Sequence, residues 1–261
     1  MGTCQKKTEM IEESYFQKLN RMEEENFQRN RASYPEYIML LEDCEGLYRL
    51  LINDLIDLGP ATKDEAYLGQ AMKVCSDIPN ELSLAALNLL REHIDDSDFH
   101  IRKAIELFGF VVLMSKSEED TLKWCKAAES EEAYKEFKTA FATRKILPKG
   151  IPEMDLLYEE YDRSTKRTHS SIFSVQSHLV ESKVQGGSDI KGGVFTPLTA
   201  LEFKQHAVGI ATIHCLILTI LPKNFEKFLR KEIIEEFNKR LGGLHEKIVP
   251  FNQKLNRELG L

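Results

Sequence analysis

The segment "YDRSTKRTHSSI", residues 161–172, carries the residue types best suited to chemistry on a phosphate group. Arg163 precedes His169 by six positions, and no acidic residue lies between them. A histidine, with an unperturbed pKa of about 6.5, can take the proton of a ribose 2′-hydroxyl or protonate a leaving oxygen. An arginine stays charged and can hold a phosphate through two parallel hydrogen bonds. Arg163 and His169 are therefore the candidate catalytic residues for metal-independent cleavage of RNA.

Four neighbours of this pair are candidate substrate-binding residues. Lys166 and Arg167 add positive charge that could hold an RNA backbone, and Tyr161 and Ser164 offer hydroxyl groups that could orient the substrate. The chain has 35 basic and 42 acidic residues and a formal net charge of −7. Because this overall charge repels phosphate, any contact with nucleic acid must come from a local basic patch of this kind.

The spacing of Arg163 and His169 resembles the signature of the HEPN-superfamily ribonucleases, in which four to six residues separate an arginine from a histidine in an all-α chain. A wider stretch, from "HIRKAIELFGFVVLMSKSEEDTLKWCKA" to "LLYEEYDRSTKRTHSSI", resembles a prokaryotic helical family discussed beside abortive-infection proteins. Ser164 stands where HEPN enzymes commonly place Asn, Asp or His. The resemblance implies a metal-independent endoribonuclease or toxin-type effector in antiphage defence, with a site built across a homodimer.

The same residues also fit a second interpretation. On one continuous helix, Arg163 and His169 would lie about 9 Å apart along the axis and roughly 120° apart around it. The basic residues would then form a solvated face, paired at helical spacing with Glu159, Glu160 and Asp162. In that case we expect a non-enzymatic scaffold or sensor, which binds a partner protein or a small ligand between its helices and presents an apolar groove.

Other motifs do not predict a metal or a cofactor. His206 and His214 are eight residues apart, a rise of about 12 Å on one helix, which is too far for one ion. His214 lies in an apolar stretch and is interpreted as a core histidine. The scattered cysteines form no CxxC pair, and the glycine-rich segment at residues 186–193 lacks the spacing of a phosphate loop and is interpreted as a linker.

The N-terminal and apolar segments favour a cytoplasmic protein without a membrane partner. The opening residues "MGTCQKKTEM" have no apolar core and predict no secretory signal. The longest apolar run, Val208 to Leu221, is shorter than the roughly twenty residues that a membrane span needs. We therefore expect this run to form a buried helix.

Local signals predict where some helices begin and end. Ser117, with Asp120 three residues on, predicts a helix N-cap, and residues 95–98 predict a turn and cap before the next helix. We also expect a long helix from about Glu153 to Ser182, and breaks in the last helical stretch at Gly242, Gly243 and Pro250.

Hydrophobic residues recur at helical spacing along nearly the whole chain, which predicts an all-α, multi-helix bundle with no significant sheet. We expect an N-terminal helical arm at residues 1–78 and a C-terminal helical core at 79–261, or one continuous domain. The first helix is highly charged and has a narrow apolar stripe, so it could dock on a partner protein or a second copy.

Overall fold

The computed structural model describes residues 14–58, 66–168, 179–184, 187–192 and 198–260. These residues form a bundle of helices and one small hairpin, which confirms the all-α class. The helices are α1 Tyr15–Ser33, α2 Pro35–Leu58, α3 Ala66–Cys75, α4 Asp77–Leu90, α5 Ile94–Met114, α6 Glu118–Lys126, α7 Glu131–Ala140, α8 Thr143–Ile146, α9 Pro152–Thr168, α10 Ala200–Ile220 and α11 Lys231–Leu259. Two short 3₁₀ turns, Leu221–Asn224 and Glu226–Phe228, join the last two helices.

Side-chain caps fix where several helices begin. Ser14 accepts a hydrogen bond from the backbone of Gln17, whose side chain bonds back to Ser14, and the capping box at the start of α10 is built in the same way. Ser117 accepts from the backbone N–H of Asp120, which confirms the cap predicted for α6. These caps satisfy backbone donors that have no partner within a helix.

Helix α10 lies at the centre of the bundle and packs against α2, α4, α9 and α11. It buries residues on nearly all sides, ten of them between Phe203 and Leu218. This confirms that the run Val208 to Leu221 belongs to a buried helix. By length and composition alone, the segment Ala200–Asn224 could also cross a membrane, but the central helix of a bundle has the same composition.

Helix α11 packs against α2 and so joins the two ends of the chain. Asp54 of α2 is 1% exposed and accepts hydrogen bonds from the backbone N–H of Arg230, at 3.0 Å, and from its guanidinium Nε, at 2.5 Å. Lys247 Nζ lies 2.5 Å from the carboxylate of Asp43. One cluster of buried side chains runs from Tyr37 in α2 to Leu255 in α11.

Three local predictions were wrong. The stretch predicted as helix up to Ser182 ends in a strand instead: β1, Leu179–Val184, pairs antiparallel with β2, Gly187–Gly192, so much of the predicted glycine-rich linker is a strand. Helix α11 continues through Gly242, Gly243 and Pro250, because its buried apolar side chains, four and three positions apart, pack against the bundle and outweigh the helix-breaking residues.

The third correction concerns the acidic segment at residues 95–98. We expected a turn and cap there, but α5 already begins at Ile94. Asp98 therefore lies on a helix, on the same face as Ile94 and Ile101, and is 3% exposed. This places a carboxylate on a buried helix face.

Candidate functional site: an arginine cleft

Helix α9 positions the basic residues of the motif. Met154, Leu157 and Ser164 are its buried residues. Glu160, Arg163 and Arg167 follow at spacings of three and four and share a different face of the helix. Two of the basic residues of the motif, Arg163 and Arg167, thus point to the same side because they are four positions apart on the helix.

This face of α9 lines a cleft of about 480 Å³ between α5, α9, α10 and α11. The volume falls within the range typical of small-molecule sites. Apolar side chains, among them Ile101 and Ile213, form part of the wall. The polar residues that line it are Asp98, Glu160, Arg163, Arg167, Gln205, His206, Thr212 and Asn252.

Arg167 is the best-anchored cation of the cleft. Its Nη1 lies 3.2 Å from the carboxylate of Asp98 and 3.3 Å from Nε2 of His206. Because a guanidinium only donates hydrogen bonds, Nε2 of His206 must accept, and the proton of the neutral imidazole then sits on Nδ1. The contact therefore fixes both the guanidinium and the tautomer of the histidine.

Arg163 lies nearer to solvent in the same cleft. It pairs with Glu160, one turn away on the same helix, and its side chain is 54% exposed. Partial burial lowers the pKa of Arg163, the charge of Arg167 lowers it further, and Asp98 opposes the change. An anion between the two guanidinium groups would relieve their mutual repulsion.

Burial also shifts the pKa values of the two groups that hold Arg167. The pKa of His206 is lowered to about 4, first by burial and then by the charges of Arg167 and Arg163. The pKa of Asp98 is raised, because burial outweighs the opposing effect of Arg167. At neutral pH, His206 is thus an uncharged imidazole whose Nε2 accepts the hydrogen bond from Arg167.

The structure brings two of the predicted site residues, Arg163 and Arg167, into one cleft. His169, the predicted catalytic partner of Arg163, lies outside the described residues. The three residues that contact Arg163 or Arg167 in the cleft were not among the predicted site residues: Asp98, Glu160 and His206.

The other three predicted substrate-binding residues do not line this cleft. The hydroxyl of Tyr161 donates to Glu106 Oε1 at 3.0 Å, on the side of α5. Ser164 is buried, since it lies on the core-facing side of α9. Lys166 is exposed and pairs with Asp162 at 2.6 Å. The helical period explains the separation, because it turns these three side chains away from the face formed by Glu160, Arg163 and Arg167.

Sequence patterns held one signal for the missed residues, and it concerns Asp98. Asp98 occupies an otherwise apolar position four residues after Ile94 and three before Ile101, and a buried carboxylate requires a partner. His206 carries no such signal, because its spacing from His214 bears only on a metal site. Within the described part of the chain, no group of three His, Cys, Asp or Glu side chains could hold a metal ion.

Comparisons of the chain with protein-family models, with curated proteins and with solved structures found no match. The arginine cleft is therefore interpreted from its own geometry and from the resemblance of its sequence motif.

Proposed function

We propose that the arginine cleft binds the phosphodiester group of RNA and that the protein is a HEPN-like, metal-independent endoribonuclease. The observation that carries the proposal is the placement of Arg163 and Arg167 in one cleft of an otherwise acidic protein. Two guanidinium groups that lie on the same helix face can hold a single phosphate from two directions. They can also stabilise the negative charge that develops as the phosphodiester reacts.

In the proposed reaction, a neutral imidazole removes the proton of a ribose 2′-hydroxyl, and this oxygen attacks the adjacent phosphorus. The bond to the 5′-oxygen breaks, and the leaving oxygen takes a proton from an imidazolium. The products are a 2′,3′-cyclic phosphate and a 5′-hydroxyl end. The sequence motif assigns the imidazole to His169, as general base or acid, while Arg163 and Arg167 hold the phosphate.

The two carboxylates of the cleft should respond differently when a phosphate binds. Glu160 pairs with Arg163 near solvent, whereas Asp98 is buried beneath Arg167. A half-exposed ion pair contributes little to stability, so a phosphate can displace Glu160 at low cost. Asp98 instead keeps Arg167 in place when the ligand arrives. We therefore expect Arg163 to exchange partners on binding and Arg167 to stay anchored.

The test is cleavage of an end-labelled RNA pool in the presence of EDTA. We compare the wild type with Arg163→Ala, His169→Ala and Lys166→Ala. Arg163→Ala should lower the rate roughly 100-fold, since it removes a donor to the developing charge. Lys166→Ala is the matched control, because it removes the same charge from the same helix at a position outside the cleft.

Two outcomes would contradict the proposal. Equal losses in Arg163→Ala and Lys166→Ala would show that general positive charge, not the cleft, matters. Cleavage of an RNA whose 2′-hydroxyls are methylated would exclude attack by the 2′-oxygen. Mass spectrometry of the cleaved ends should find the cyclic phosphate.

The defence function and the homodimer implied by the resemblance are part of the same proposal. Expression of the wild type in a bacterial host should arrest growth, and His169→Ala should relieve the arrest. Sedimentation velocity should give twice the mass of the 30.0 kDa chain. A monomer that cleaves RNA would contradict a site built across two copies.

A further inference from the structure

The arginine cleft extends beyond the two guanidinium groups that the proposed phosphate site uses. It follows α10 from Gln205 to Ile213, a rise of about 12 Å along the helix. His206, which contacts Arg167, lies near the start of this stretch. The rest of the stretch, about two helical turns, offers room beside the phosphate for another part of a nucleotide.

Gly209 leaves an open space in this second part of the cleft. It lies in the middle of α10 and lines the cleft, and a Cβ atom at this position would have no neighbour within 4 Å. Its backbone is helical, and alanine is the better residue in a helix interior. Neither local conformation nor packing explains the glycine, whereas a ligand that lies close against the helix backbone does.

The walls around Gly209 combine apolar and polar side chains. Val208 of α10 and Leu255 of α11 line the cleft beside the polar groups of Thr212 and Asn252. A nucleobase needs such a mixture, because its faces are largely apolar and its edge carries hydrogen-bonding groups. This end of the cleft therefore suits a base better than a second phosphate, which would lose its hydration there.

Asn252 of α11 supplies an amide group at this end. Lys204, near the start of α10, pairs with Glu258, near the end of α11, at 2.9 Å, and the two helices are joined by short turns, so they run antiparallel. Asn252, six residues before Glu258, therefore lies beside the part of α10 that contains Gly209. Its half-buried side chain lines the cleft and has no hydrogen-bond partner among the described residues.

We propose that this end of the cleft holds an adenine base next to the phosphate that Arg163 and Arg167 bind, and that Asn252 selects it. An amide presents one donor and one acceptor side by side, and adenine offers the complementary pair at its N6 amino group and a ring nitrogen. Guanine is most often bound by Arg or Lys and cytosine by a carboxylate, and Asn252 supplies neither. Single-stranded RNA leaves these base edges accessible. The base site depends on the proposed function, since its ligand is a nucleotide whose phosphate lies between the two arginines.

The test is isothermal titration with the four ribonucleoside 3′,5′-bisphosphates, which carry a phosphate on both sides of the sugar, and with inorganic phosphate. The wild type should bind the adenosine bisphosphate about tenfold more tightly than the other three, as one bidentate contact predicts. In Asn252→Leu, which has nearly the same shape, this preference should vanish. Gln253→Leu is the matched control, because it removes an amide from the next position of α11, where the side chain is exposed and outside the cleft.

Gly209→Leu tests the open space rather than the amide. The leucine side chain should occupy the space, so the affinity for all four bisphosphates should fall to roughly that for inorganic phosphate. Binding of inorganic phosphate also reports that the arginine end of the variant is intact. Gly242→Leu is the control, because a Cβ atom there has no neighbour within 4 Å either, but the residue is exposed and does not line the cleft.

Three results would overturn the base site: equal affinity of the wild type for the four bisphosphates, a preference for adenosine that survives in Asn252→Leu, or unchanged binding to Gly209→Leu. The base site and the nuclease can fail separately. Cleavage of RNA by a wild type without any preference for adenosine overturns the base site alone. A preference for adenosine in a protein that cleaves no RNA supports the base site and overturns the nuclease, and absence of binding to any bisphosphate overturns both.

Discussion

The arginine cleft and the buried surroundings of His214 both include part of α10, yet they differ in how their polar side chains are paired. In the cleft, Arg167 contacts both Asp98 and His206, and Arg163 contacts Glu160. At His214, the buried imidazole Nδ1 has no partner among the described residues. Paired polar groups fix geometry and stabilise the fold, whereas an unpaired buried group destabilises it.

The largest expected effect concerns stability in acid. The pKa of His214 is lowered to about 3 in the folded protein, so the unfolded state binds the proton more readily. The resulting stability is fully present above about pH 6.5 and is lost as the pH falls. The wild type should lose about 1.4 kcal/mol of unfolding free energy per pH unit through protonation of this histidine in the unfolded state. His214→Leu should therefore lose about 3 kcal/mol less than the wild type between pH 6.5 and 4. Urea unfolding across this range measures it.

His206, the histidine of the arginine cleft, should affect stability over a different pH range from His214. The pKa of His206 is lowered to about 4, so its effect should be complete near that pH, whereas the effect of His214 should continue to about pH 3. Profiles of His206→Gln and His214→Leu that run parallel to the wild type down to pH 4 would contradict the burial of both neutral imidazoles.

Arg167→Ala should have the next largest effect, a loss of about 2 kcal/mol at pH 7. The substitution leaves the carboxylate of Asp98 buried without its cation. Because burial raises the pKa of Asp98, the loss should shrink as the pH falls through that raised pKa and the carboxyl becomes neutral. Urea unfolding at pH 7 and pH 4.5 tests this, and an equal loss at both values would exclude Asp98 as the cause.

His214→Leu should raise the unfolding free energy by about 1 kcal/mol at pH 7.5, because it replaces an unpaired polar group by an apolar one. Arg167→Ala and His214→Leu should therefore change the unfolding free energy in opposite directions. In thermal unfolding, the Tm of His214→Leu should be roughly 2 to 4 °C higher than that of the wild type. A fall instead would mean that the imidazole has a partner, such as an ordered water.

Arg163→Ala should have the smallest effect on stability, within about 1 kcal/mol, since its pair with Glu160 is half exposed. The same substitution is expected to lower RNA cleavage strongly, so it separates function from folding. Circular dichroism melts of Arg163→Ala and of the control Lys166→Ala should nearly coincide. A large loss in Arg163→Ala would make any activity defect uninformative.

Much of the fold could be predicted from hydrophobic spacing, because a buried helix face repeats every three to four residues. The central helix is predicted instead by the unbroken apolar run Val208 to Leu221, and the start of α6 is predicted by the Ser117 cap. The hairpin could not, since each strand is six residues long and its pairing depends on contacts that no local pattern encodes. The continuity of α11 through Pro250 likewise depends on packing against α2.

The candidate site was predicted only in part. The residue types of the motif identified Arg163 and Arg167, but the helical period separates them from Tyr161, Ser164 and Lys166. The partners of Arg167 come from α5 and α10, which lie 69 and 39 residues away along the chain. Such contacts arise from the packing of distant helices and cannot be read from local spacing.

The ion pair between Asp54 and Arg230 has a consequence for how the protein is made. The two residues are 176 positions apart. At roughly 5 to 20 residues per second, α2 emerges from the ribosome about 9 to 35 s before the arginine that pairs with its buried carboxylate. During synthesis the buried carboxylate of Asp54 therefore lacks this partner until nearly the whole chain exists, and a chain that stops before residue 230 never gains it.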